Sequence, residues 1–117
     1  MKIVYNKLIP FKGFVAINLF GICFVRKEYE GKLSKSKMSK MINHENIHTE
    51  QMKEMLYIFF YLWYFIEWII NIFRYGTEDA YEMISFEREA YRNANNKDYL
   101  KNRKHYSWVN FLKENID

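Results

Sequence analysis

The chain has 117 residues and a formal net charge of +4; half of its residues are apolar and a fifth are aromatic. That length makes one domain with one modest core, and the single cysteine, Cys23, excludes an internal disulfide and any cysteine-based metal cluster. The mild positive charge suits a membrane surface or an acidic partner; it comes with no recognised nucleic-acid motif, so no nucleic-acid partner is expected.

The N-terminus carries Lys2 and Lys7, but polar residues and Pro10 break its apolar run and no small-residue cleavage site follows. It does not read as a secretory signal. The expected location is cytoplasmic, either free or associated with the inner face of a membrane. Residues 3–25 read as strands: Ile3, Val4, Leu8 and Ile9 lead to Pro10 and a turn at Lys12-Gly13. Phe14 to Val25 is a second β-branched and aromatic run, too short to cross a bilayer, with Gly21 read as a bulge or a close approach. Arg26 to Lys40 is basic and polar, a loop leading into a helix that Ser36 or Ser39 would cap.

That helix carries His44-Glu45-Asn46-Ile47-His48. Residues four apart lie on one face of a helix, one turn up. Two imidazoles so spaced reach one Zn²⁺, and the glutamate between them is positioned to take a proton from water at the metal. The alternative is two ordinary histidines on an amphipathic helix. Met41, His44, Ile47, His48, Gln51 and Met55 form one stripe, which turns both histidines toward the core. A metal-bound imidazole belongs there and an unpaired one does not.

Residues 55–73 are apolar or aromatic almost all round, with Glu67 as the only charge. A domain this small cannot cover such a helix on every side. It is expected to be a core helix with one face in a homodimer contact, to lie in or across a membrane, or to meet a partner protein. Arg74-Tyr75-Gly76 ends it, and Thr77 caps a further helix expected to run to about Asn95.

That last helix holds Glu78, Asp79, Glu82, Glu87 and Glu89. At about 100° per residue, Ala80, Met83, Ile84, Ala90, Tyr91 and Ala94 lie within roughly 60° of Glu87, whereas Glu82 and Glu89 fall on the opposite, watery side. A carboxylate centred on an apolar face needs a cation. A buried Arg or Lys would serve; a Zn²⁺ shared with His44 and His48 accounts for all three groups at once. The tail from Asn96 is basic and aromatic, with Asp98 as a cap, His105 at the surface, and Trp108, Phe111 and Leu112 packing against the long helix.

His44-Glu45-Asn46-Ile47-His48 followed some forty residues later by Glu87-Arg88-Glu89-Ala90-Tyr91 resembles the gluzincin pattern of zinc metallopeptidases. The whole chain is similar to minimal gluzincins and to small bacterial HExxH proteins that share the long aromatic stretch. Its apolar segment is also similar to that of membrane-embedded sensor peptidases. The resemblance implies an α+β, zincin-like domain over 1–117: N-terminal strands, active-site helix, long aromatic helix, glutamate helix and short C-terminal helices. It implies metal ligands His44, His48 and Glu87, general base Glu45, Zn²⁺ as cofactor, and a peptide or protein as substrate. Tyr91 and Tyr81 are the candidates to stabilise the oxyanion. A C-terminal pro-segment in 98–117 is a further implied possibility. The alternative is a non-catalytic domain, held together by the metal, that binds a membrane or a partner.

Overall fold

A computed structural model describes residues 1–112 and has an α+β architecture: a three-stranded sheet followed by five helices. β1 (Lys2–Asn6), β2 (Ala16–Leu19) and β3 (Ile22–Arg26) are arranged in the order β1-β3-β2. β3 runs parallel to β1 and antiparallel to β2, which leaves β2 on an edge. The two-residue turn between β2 and β3 is Phe20-Gly21, with φ of 53° and 91°. Gly21 is there to supply the positive φ of a tight hairpin turn. It marks neither the bulge nor the close approach expected from sequence, because a Cβ at that position would meet only an ordinary contact, 3.8 Å from Thr49 Cγ2.

α1 (Lys35–Glu54) begins two residues earlier than the nearer of the expected caps allows: Ser34 is the N-cap and accepts from the Lys37 amide. Asn18 of β2 joins the sheet to this helix, donating to the carbonyl of Glu45 and to Thr49 Oγ1, both at 2.8 Å. The aromatic stretch does not form a single helix. Met55 closes α1, Leu56 and Tyr57 take positive φ, and α2 runs Ile58–Tyr75 at 109° to α1. Gly76 ends α2 as expected, with φ 88° and its amide bonded to Ile72 O. Among the described residues no single helix is long and apolar enough to cross a membrane.

The expected helix from Thr77 to Asn95 is shorter. Residues 77–84 form successive turns, and α3 is Ser85–Asn93. The cap comes from a distant element: Glu67 of α2 accepts from the Ser85 amide at 2.7 Å and from Ser85 Oγ at 2.6 Å. These bonds, with one from Trp63 Nε1, give the sole carboxylate of the aromatic helix its partners. Burial still pushes the Glu67 carboxyl above its ordinary value, against the hydrogen bonds from Ser85 and Trp63.

Two short helices follow, α4 (Tyr99–Asn102) and α5 (Val109–Leu112). Asp98 precedes α4 but makes no side-chain cap bond. The core gathers Met52, Phe60, Ile84, Phe86 and Trp108. Trp108 packs on Phe86 and Trp63, so the described part of the tail is a packing element. No residue from 98 to 112 lines the cleft described below; the rest of the expected pro-segment, 113–117, lies outside the described residues.

Candidate metal centre

α1 and α3 pack against each other, and three buried side chains meet between them: His44, His48 and Glu87. His44 Nε2 and His48 Nε2 are 3.1 Å apart, and Glu87 Oε1 lies 3.1 Å from the first and 2.9 Å from the second. Donors about 2.0–2.1 Å from a tetrahedral ion stand roughly 3.3 Å from one another. The three atoms are therefore spaced for a common divalent ion.

Protons point the same way. Gln51 Nε2 donates to Phe86 O and to Glu89 Oε1, both at 3.0 Å and both acceptors only. The amide is thereby oriented, and its Oε1, 2.7 Å from His48 Nδ1, accepts a proton from that nitrogen. Neutral His48 then turns the lone pair of Nε2 toward an anionic Glu87 oxygen and a second imidazole. A cation resolves this arrangement, either a proton or a metal. With a proton as that cation, burial of His48 opposes its charge, yet Glu87 outweighs burial and the pKa rises from 6.5 to about 9. Burial likewise disfavours the Glu87 carboxylate, but the two imidazoles hold it well below the usual carboxylate range.

The other groups around the centre come from α1, α2, α3 and the turns that precede α3. Glu45, the residue after His44, lines a cleft of about 380 Å³ together with His48, Tyr64, Tyr81 and Glu87. Burial pushes its pKa up; the two histidines pull it down and Glu87 adds to the rise. A carboxylate shifted toward neutrality is suited to taking and giving a proton. Tyr64 of α2 donates to Glu87 Oε2 at 2.7 Å, which leaves Oε1 for the imidazoles. Sequence reasoning missed this residue. The signal was present: Phe60, Tyr64, Glu67 and Asn71 form a stripe at helical spacing, three of its four members polar in an otherwise apolar helix.

Tyr81 and Tyr91 stand side by side with hydroxyls 3.3 Å apart. Only Tyr81 lines the cleft; the Tyr91 ring packs edge-on against His44, centroids 4.5 Å apart. Burial pushes both phenols up, as it does Tyr64, so all three remain proton donors near neutrality. Glu89 was expected to face water and does not. Its side chain is 0 % exposed and bonded to Gln51, Tyr99 and Arg103. The wheel counted one apolar face, whereas α3 is covered on both sides, by α1 and by the tail. Glu82 remains exposed, as does His105.

Above the centre lies β2. Ala16, Ile17, Asn18 and Leu19 line the cleft, and among the described residues no strand pairs with β2 on its outer edge. Comparison with known protein families, with curated proteins and with solved structures finds no match.

Proposed function

We propose that this protein is a zinc-dependent peptidase of the gluzincin kind. The observation that carries the reading is the convergence of His44, His48 and Glu87 beneath an edge strand, with Glu45 beside them in the cleft. Two imidazoles and one carboxylate favour zinc among divalent ions and leave a fourth position for a small molecule. The ion would supply Lewis acidity, polarising a carbonyl and acidifying water.

The chain's own residues supply the rest. The free edge of β2 offers backbone donors and acceptors to an extended peptide. Glu45 takes the proton of the attacking water and returns it to the leaving amine. The Tyr81 hydroxyl donates to the carbonyl oxygen as charge develops there, held toward the cleft by Tyr91. Phe14, Ile17, Leu19, Met52 and Phe60 make the cleft walls apolar, which favours apolar side chains in the substrate.

The test pairs metal content with cleavage of a peptide library. Wild type is expected to carry one zinc per chain, His48→Ala none. Glu45→Gln should keep the zinc and lose hydrolysis by about 10²–10⁴-fold. Full cleavage by Glu45→Gln would exclude this mechanism, and a chain that takes up no metal would exclude the centre.

A further inference from the structure

Among the described residues, nothing covers one face of the long helix. At about 100° per residue, Phe60, Tyr64, Glu67 and Asn71 turn inward, and Ile58, Phe59, Leu62, Phe65, Ile66, Ile69, Ile70 and Phe73 form an outward arc of about 140°. All eight are exposed and none is polar. Eight large side chains at roughly half exposure present on the order of 800 Å², above the ~300–600 Å² of the largest patch on a typical monomer.

The apolar surface extends past the helix. Phe14 lies between Phe65 and Trp68 of α2 and the metal cleft, lining a hollow with the former and the cleft itself. Phe14 belongs to the β1–β2 loop, where Leu8 and Phe11 are 85 % and 83 % exposed. The loop is held in that shape: Asn6 Oδ1 accepts from the Leu8 and Ile9 amides, and Arg26 donates to Pro10 O at 2.7 Å. At the other end Phe20 packs on Tyr57 and Tyr61, next to exposed Leu56.

We infer that this surface docks onto a lipid bilayer carrying anionic headgroups, with the cleft mouth at the interface. Charge decides the occupant. Lys7 and Lys12 bracket Leu8 and Phe11 and Arg74 follows Phe73, all exposed; Lys53, before Leu56, is exposed too but pairs with Glu50 at 3.3 Å. The arc has no charge, and the carboxylates Glu78 and Glu82 line the hollow on its cleft side. An apolar face fringed by cations matches acyl chains beneath anionic headgroups. A second copy of the chain, itself of net charge +4, would set cation against cation and would lie across the mouth of the cleft. This docking does not depend on hydrolysis.

Flotation of the full chain with vesicles tests it, using phosphatidylcholine alone and mixed with phosphatidylglycerol. Binding is expected to the mixed vesicles, weakened by salt. Ile66→Glu with Phe73→Glu should reduce it at least about tenfold, and Lys7→Gln with Lys12→Gln about fivefold per lysine. Phe73 is 87 % exposed, so the single variant Phe73→Glu, whose circular dichroism should match wild type, serves where the double variant fails to fold. Glu45→Gln should bind as wild type does, which separates this result from the peptidase test. Absence of binding to both vesicles would overturn the inference. So would a stable dimer in solution that Ile66→Glu dissociates, which would make the arc a contact between copies.

Discussion

Behind His48 runs a line of buried groups. Gln51 bonds His48, Glu89 bonds Gln51, and Arg103 lies between Glu89 and Glu54, with Arg103 Nε 2.5 Å from Glu89 and Nη1 2.9 Å from Glu54. Arg103 and both carboxylates are almost fully buried. A guanidinium between two such carboxylates is the arrangement that makes their burial tolerable. The line selects the Nδ1–H form of His48 and leaves the Nε2 lone pair facing Glu87 and His44, where a metal ion could be held. Partners of this kind alter metal affinity by about 10–100-fold. Gln51→Leu is therefore expected to weaken zinc binding by that order while leaving one site per chain, measured by competition with a chelating dye. An unchanged affinity would show that packing alone orients the ring. The sequence stripe already included Gln51, and the two histidines were legible because their relation is local, four residues along one helix. The role of Gln51 was not, since it depends on Glu89 and Arg103, and only the fold brings the tail to α3.

At the scale of elements, the candidate metal centre depends on where α3 starts. Glu87 is in its first turn, two residues after Ser85, and Ser85 is held by Glu67 of α2. The aromatic helix thus contributes to the site twice, through the Glu67 cap and through Tyr64 on Glu87. From sequence, Thr77 with Glu78 and Asp79 after it was the natural helix start. A carboxylate eighteen residues away displaced it. No local pattern encodes such a cap; the legible part was that Glu67 is the only charge in an apolar stretch. Hydrogen bonds to a charged group contribute about 1.5–3 kcal/mol. Glu67→Ala should lose that much stability in urea denaturation, Glu67→Gln less, since an amide oxygen still accepts one bond. Zinc affinity should fall in the same order. Loss of stability without loss of affinity would mean that the α1–α3 packing positions Glu87 without the cap.

For the whole molecule, His44, His48 and Glu87 link α1 to α3, and Asn18 ties the sheet to the same turn of α1. A core as small as this one gains much from such a tie. Free zinc a thousandfold above its dissociation constant stabilises by about 4 kcal/mol, on the order of 15 °C in Tm. The size of that gain should depend on pH, with a definite sign. In protein stripped by a chelator, the raised pKa of His48 contributes stability that is complete below its ordinary 6.5 and is lost as pH climbs through about 9. The lowered pKa of Glu87 contributes stability present above 4.5 and lost only as pH falls well below that value. The pair thus supports the stripped protein best between these two ordinary values, and its support fades on the alkaline side. Metal binding needs both imidazoles deprotonated, so its contribution grows over the same range. Calorimetry of loaded and stripped protein at about pH 6 and about pH 9 should show the gap in Tm widening with pH. A gap that stays constant would mean that His48 and Glu87 do not share a proton when the metal is gone, and that the ion holds the two helices through some other set of groups.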